Sequence, residues 1–364
     1  MAWACAGWNW RRVNRVLGVL PVFFTTGLLV WSGYVYYSEV LPTIYRQGAG
    51  HAWFWGVVNG VLLALLLWSY AVCVMRDPGH TLPRRPTIAS HGGSGLPYVR
   101  VPLADVAPAP DTRRRRRADS VGSSDSDSSS MWVDSDDSDA GSAGGGGGGG
   151  AALTDEQRRQ ADLIHAITTT ESGQPRYCQK CDAPKPDRAH HCSTCGVCVL
   201  RFDHHCPWLN SCVGFRTHKA FILFLTYGTL YTTAVGLTTI LYFVLWAMRA
   251  PDVDIMLETL FMACLAIAFS LSLCGFTGFH YYLISTNLTT FESRVANTYR
   301  VPGAAKGVQS ANINLFDLGF ARNLRQVFGP DWRLWAVPVS TSLGDGTRFA
   351  INFDAYNELQ RTVS

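Results

Sequence analysis

The stretch from Tyr177 to Phe221 reads YCQKCDAPKPDRAHHCSTCGVCVLRFDHHCPWLNSCVGFRTHKAF and holds seven of the chain's eleven cysteines and five of its ten histidines. In a reducing cytosolic setting, cysteines at this density serve metal binding rather than disulfide pairing. Closed structural zinc sites take four ligands, mostly thiolate and imidazole, and a Cys-x-x-Cys pair turns two sulfurs toward one ion. Two ions therefore use six cysteines and two histidines, and one cysteine is left over. Spacing by itself does not say which one. Cys206 is the best candidate because it ends the run Asp203-His204-His205-Cys206. In an extended strand, residues two apart share a face, so His204 and Cys206 fall together while His205 points away. One histidine can then serve a metal and the other the thiol. A neighbouring imidazole activates a thiol as a nucleophile, and a carboxylate such as Asp203 can orient that imidazole. The competing reading is a zinc-dependent membrane scaffold with a spare cysteine and no catalysis.

Such a module needs elements to hold it, and the rest of the chain supplies apolar blocks. Of 364 residues, 48% are hydrophobic and 16% charged, well under the ~25% charged content of soluble proteins. The apolar residues gather in four blocks, at about Val16–Tyr37, Phe54–Met75, Phe221–Met248 and Leu257–Ile284. Each reaches the ~20 residues that cross a hydrocarbon core of ~30 Å. Arg11, Arg12 and Arg15 precede the first block. Arg76, Arg84, Arg85 and the run Arg113 to Arg117 follow the second, whereas the loops inside each pair carry only Arg46 and Arg249. The positive-inside rule places both termini and the central segment in the cytosol. The blocks lack the intramembrane charges of a transport path, and no nucleic-acid partner is expected.

The expected fold is an all-α membrane protein, with four transmembrane helices and a cytosolic two-zinc module of short β-hairpins between the second and third. By segments, this gives a cytosolic N-terminus (1–15), helices one and two (16–75), an insert (76–174), the zinc domain (175–220), helices three and four (221–284) and a cytosolic C-terminal region (285–364). Most of the insert, about His80 to Gln174, reads as disordered. It carries the Arg run, a Ser/Asp tract and seven consecutive glycines, a composition that does not repay the entropy of ordering. Thr154-Asp155-Glu156-Gln157 has the form of a capping box.

The motifs together resemble the DHHC protein S-acyltransferases, or palmitoyltransferases. Cys-x2-Cys, Lys-Pro-Asp-Arg-Ala-His-His-Cys, Cys-x2-Cys-x2-Cys, Asp-His-His-Cys-Pro-Trp and Cys-Val-Gly-Phe stand in that family's order. Outside the module, Asp77-Pro78-Gly79 follows the second block, Thr289-Thr290-Phe291-Glu292 follows the fourth, and Asn314 to Gly319 with Asn323 resembles the family's C-terminal aromatic motif. The layout is similar to a fungal branch of the vacuole membrane, with Golgi or ER as alternatives. One departure is Thr217, where the family usually has Asn; this bears on the contact between the module and span three.

The resemblance implies two structural Zn2+ sites, one of Cys178, Cys181, His191 and Cys198, the other of Cys192, Cys195, His205 and Cys212. It implies Cys206 as nucleophile, His204 as general base and Asp203 as its orienting partner. The substrates would be acyl-CoA (palmitoyl-CoA) and cysteines of membrane-associated or cytosolic proteins, with the acyl chain housed among the spans in the bilayer. Arg188, Arg201, Arg216 and Lys219 are candidates for the CoA phosphates, and the small residues Ser270, Ser272, Gly275 and Gly278 for close helix packing. His190 is expected to pack behind the metal ligands, and His218 and His280 to sit at the interface without a role. Tyr231 lies ten residues beyond Phe221, about 15 Å along a helix, comparable to a sixteen-carbon chain. The resemblance implies that spans one and three meet at the end of the acyl cavity, where Ser32 would partner the Tyr231 hydroxyl.

The orientation has a direct test. A protease added to sealed vesicles with the cytosolic face outward is expected to cut between His80 and Gln174. Protection of that segment would reverse the topology.

Overall fold

The computed structural model describes residues 17–81, 167–247, 253–310 and 312–363. The Arg run, the Ser/Asp tract, the glycine run and the capping box at Thr154 lie outside the described residues. So do the N-terminal arginines.

The first apolar block forms helix α1 (Leu20–Val35), with a proline in its first turn, where no backbone N–H is required. A π-helical turn (Tyr36–Val40) joins it to α2 (Leu41–Gln47). The chain reverses at Gly48 into α3 (Ala49–Met75). Helices α4 (His218–Ala247) and α5 (Val253–Ser285) follow the cysteine-rich segment. Three of these helices are long and apolar enough to cross a membrane: α3, α4 over His218–Leu245, and α5 over Leu257–Ser285. The first block differs from the expectation of a fourth such helix. As an α-helix α1 runs 16 residues, a rise of about 24 Å, short of the ~30 Å core. Its helical path continues through the π turn into α2.

Helix α4 is central: 56% of its apolar stretch is buried, against 28% for α3 and 22% for α5. Helices α4 and α5 are joined by the hydroxyl pairs Thr229–Thr277 (2.9 Å) and Thr233–Ser270 (2.6 Å). The close approach between them uses Gly228 and Gly236 of α4, where an added Cβ would touch Leu273 and Ile267. This corrects the expectation for α5. Ser270 does face its neighbour, but Ser272, Gly275 and Gly278 are exposed, and a Cβ at either glycine would meet nothing.

Between α3 and α4 the described residues form three antiparallel hairpins. These are β1 (Tyr177–Cys178) with β2 (Ala183–Pro184), β3 (His190–Cys192) with β4 (Val197–Val199), and β5 (His204–Cys206) with β6 (Ser211–Val213). The Asp77-Pro78-Gly79 motif joins them to the end of α3. Gly79 takes φ +95, a conformation that favours glycine, and its carbonyl accepts from Leu200 N at 2.8 Å while that of Pro78 accepts from Arg216 N at 3.1 Å. The Asp77 carboxylate accepts from Gly79 N and pairs with His80.

On the other side, a buried ion pair ties the hairpins to the segment after α5. Arg188 donates to both oxygens of Glu292 at 2.8 and 2.7 Å, and to the side chain and carbonyl of Asn287. Its guanidinium also lies over the rings of Phe316 and Phe349. Asn287 and Thr289, parts of a glycosylation-type triplet, are both buried. Asn314 donates to the carbonyl of Thr286 and Asn323 to that of Ser285, each at 2.7 Å. These two side chains thus cap the C-terminal end of α5, where helix carbonyls lack internal partners. After α5 the described residues form β7 (Asn297–Tyr299) paired with β8 (Val308–Ser310), α6 (Phe320–Phe328), a 3-10 turn (Trp332–Leu334) and α7 (Phe353–Arg361).

Removing one partner of a buried, hydrogen-bonded ion pair leaves an uncompensated charge and costs about 3–5 kcal/mol. Glu292→Ala is therefore expected to lower the thermal midpoint of the detergent-solubilised protein by several degrees. A midpoint equal to that of the parent would mean that the Arg188–Glu292 pair does not hold the hairpins in place.

Candidate functional site

Two of the hairpins use one design. In β3–β4, His191 sits directly across from Cys198; in β5–β6, His205 sits directly across from Cys212. A Cys-x-x-Cys pair closes each group. Cys178, Cys181 and Cys198 place their sulfurs 3.5, 3.2 and 3.9 Å from His191 Nδ1. Cys192, Cys195 and Cys212 lie 3.7, 3.4 and 3.5 Å from His205 Nδ1. In each quartet all four donor atoms fall within 4.8 Å of one another. A tetrahedral ion with bonds of ~2.0–2.3 Å sets its ligands roughly 3.5–3.8 Å apart, so both groups fit a metal. The quartets interleave in sequence, since β3 carries a member of each: His191 for the first and Cys192 for the second.

The same strand that supplies His205 presents His204 and Cys206. Cys206 is buried in the apolar cluster that includes Tyr70, Phe221 and Tyr231, so its thiol adjoins the interior of the helix bundle. His204 shares a hydrogen bond at 2.7 Å between Nδ1 and Asp203 Oδ2. With Nδ1–H donating to the carboxylate, Nε2 is left for the thiol. Asp203 is itself held by Thr290, whose backbone N–H donates to Oδ1 and whose hydroxyl donates to Oδ2, both at 2.8 Å. Burial disfavours a charged imidazole, but the bonds to Asp203 and Cys206 outweigh it and raise the His204 pKa to about 9. Burial likewise opposes a charged Asp203, yet His204 and the Thr290 N–H keep its carboxyl well below the usual range. Both shifts favour a protonated imidazole beside an ionised carboxylate.

The structure also places the other predicted residues. Ser32 Oγ and Tyr231 Oη meet at 3.1 Å, joining α1 to α4. Thr217 joins the module to the start of α4: its hydroxyl donates to the Cys212 carbonyl at 3.2 Å and accepts from Gly214 N at 3.1 Å, and its carbonyl accepts from Phe221 N at 2.9 Å. His190 stacks on Phe291, ring centroids 3.9 Å apart, and burial with Arg176 nearby brings its pKa down to about 3. The four proposed phosphate ligands separate. Arg188 and Arg201 are buried, the first on Glu292 and Asn287 and the second on Asn287. Lys219 donates to the Leu334 carbonyl and to Thr341. Arg216 is half-exposed, 3.7 Å from Asp77, and is the one of the four open to solvent. His218 and His280 are buried rather than interfacial. Tyr70, not singled out from sequence, donates to the Trp208 carbonyl at 3.0 Å and so ties α3 to the turn after Cys206. Within an apolar block, nothing in the sequence sets one tyrosine apart.

Residues 171–297 match the family model for DHHC palmitoyltransferase. The chain is similar to Palmitoyltransferase ZDHHC2 of Homo sapiens, 34% identical over 93% of this chain and 77% of that protein. It is also similar to Palmitoyltransferase ZDHHC15 of Xenopus laevis, 32% identical over 92% of this chain and 82% of that protein, and to Palmitoyltransferase ZDHHC15 of Mus musculus, 40% identical over 56% of this chain. These relatives are vertebrate proteins and lend no support to a fungal vacuolar placement. With the relatives matched along most of their length and the family model spanning the hairpins and the two helices that carry them, the chain belongs to the DHHC palmitoyltransferase family and is a protein S-palmitoyltransferase.

Proposed function

We propose that this chain moves a long-chain acyl group from acyl-CoA to protein cysteines through a Cys206 acyl-enzyme. The observation that carries this reading is the line Thr290–Asp203–His204 leading to a thiol that none of the eight metal-site donors requires. In the first step the Cys206 thiolate attacks the thioester carbon. The carbon–sulfur bond to CoA breaks, and the departing CoA sulfur takes the proton of the His204 imidazolium. In the second step a substrate cysteine gives its proton to the now neutral His204, and its thiolate takes the acyl group. This returns the Cys206 thiolate beside an imidazolium. Asp203 is the residue that keeps the His204 ring in place through both transfers. No external oxidant or activating group is required, because a thioester is exchanged for a thioester.

Each quartet would hold Zn2+. The ion ties its hairpin together and supplies folding energy rather than a reacting centre, since four protein ligands close its shell. The acyl chain would run from Cys206 into the bundle and end at the Ser32–Tyr231 contact. We take α1, with its π turn and α2, as the fourth membrane span. That gives an even count, both termini in the cytosol on an endomembrane, and a site that meets acyl-CoA at the cytosolic face. Arg216, half-exposed beside the module, is the candidate for the CoA phosphates.

Cys206→Ser is expected to lower acyl-enzyme formation by about 1,000-fold or more while keeping two zinc ions per chain. Cys178→Ala is expected to lose metal and fold poorly. Hydroxylamine-labile labelling with a clickable fatty acid, alongside metal analysis, reads both. Normal label on Cys206→Ser, or fewer than two zinc ions in active parent protein, would overturn the assignment.

The cavity end is tested by competition among acyl-CoA species of graded length. Tyr231→Ala should shift preference toward longer chains, and Ser32→Phe toward shorter ones. An unchanged length profile in both variants would remove these residues from the end of the cavity.

A further inference from the structure

Two buried histidines lie beside the acyl-transfer site without taking part in it. His218 opens α4 and His280 sits near the C-terminal end of α5, 2% and 1% exposed. The His280 ring is packed by Phe221, Phe276 and Phe279 and lies 6.1 Å from the His204 ring. Both of its nitrogens are buried without a hydrogen-bond partner among the described residues. A buried polar atom left unmet forfeits its hydration, so such atoms mark places where a ligand or water belongs. One nitrogen of His218, one of His280 and one carboxylate oxygen of Asp203 lie within 4.8 Å of one another.

Two imidazoles and one carboxylate form the donor set of open, three-ligand zinc sites. Asp203 has capacity left for a further partner. Its Oδ1 accepts from Thr290 N and its Oδ2 from Thr290 Oγ1 and His204, whereas two carboxylate oxygens offer about four acceptor positions. We infer that Asp203, His218 and His280 form a third Zn2+ site, weaker than the two Cys3His quartets, whose filling slows acyl-enzyme formation. Three ligands without a thiolate bind less tightly than a closed thiolate quartet. The buried Arg201 also acts on His218 electrostatically, and its charge opposes a dication. The site therefore fills only once zinc exceeds what the quartets take up. An ion on the Asp203 carboxylate draws on the same negative charge as the Nδ1 proton of His204 and so weakens the hydrogen bond that holds the ring. The inhibitory half of the inference rests on the reading that Asp203 holds His204 in place; the binding half does not.

The test uses the full-length protein carrying its two quartet ions, dialysed against buffered free Zn2+ from nanomolar to high micromolar. Bound metal is counted by mass spectrometry, and acyl-enzyme formation is followed in parallel. The parent is expected to rise from two to three ions, with a several-fold fall in rate over the same zinc range. In His280→Phe and in His280→Asn the count should stay at two, which also shows that the hairpins are folded, and the rate should not respond to zinc relative to each variant's own starting rate. A parent count that stays at two overturns the site. So does a third ion, or zinc inhibition, that persists in both variants, since that places the ion on Cys206 and His204 instead. A third ion lost in both variants but without effect on the parent rate keeps the site and overturns its inhibitory role.

Discussion

A three-residue strand does not hold its own shape, yet the residues proposed for acyl transfer sit on one. Strand β5 consists of His204, His205 and Cys206, and side chains alternate across a strand with a period of two. His205 is drawn to one side by Cys192, Cys195 and Cys212. His204 and Cys206 are thereby committed to the opposite side. One residue of slippage would exchange the two roles and place a metal-site histidine against the bundle. The quartet thus sets the direction of His204 and Cys206, and the first quartet, sharing β3 with the second, fixes that strand in turn.

The hairpins must also meet the bundle at a defined height, and this is done by buried polar contacts. Asp203 accepts from Thr290 beyond the end of α5, and Arg188 forms its ion pair with Glu292 two residues further on. Buried charges of this kind add little net stability when their desolvation is counted. They do discriminate strongly among arrangements, because any other docking leaves a charge without a partner. Asn287 ties the cluster together. It accepts from Arg188 and Arg201 and donates to the Phe316 carbonyl, in a left-handed conformation that asparagine tolerates.

The segment after α5 is part of the same device. Asn314 and Asn323 satisfy carbonyls at the end of α5, and Phe316 and Phe349 cover the Arg188 guanidinium. The C-terminal region therefore holds the end of the helix from which Thr290 and Glu292 project. At the other end of the module, the Asp77-Pro78-Gly79 turn binds the backbone of Leu200 and Arg216. The hairpins are in this way held from the segments that follow α3 and α5 at once.

Much of this is written in the sequence, because metal-binding chemistry and membrane insertion both depend on local pattern. The spacing of seven cysteines and five histidines restricts the segment to a metal module. Long apolar blocks restrict their neighbours to spans, since backbone polar groups in hydrocarbon must be satisfied within a helix. The alternation in Asp203-His204-His205-Cys206 already puts His205 on one face and His204 with Cys206 on the other. Tertiary structure decided what depends on distant partners. Arg188 and Arg201 read as surface cations, but both are buried: Glu292 pairs with the first, and Asn287, about a hundred residues away, accepts from both. Gly275 and Gly278 read as a packing stripe, whereas the helices chose Gly228 and Gly236 for their approach, and which face of an evenly apolar helix turns inward is set by its neighbours. The buried places of His218 and His280 beside Asp203 are of the same kind. They lie far apart along the chain, and only the crossing of α4 and α5 over the hairpins brings them together.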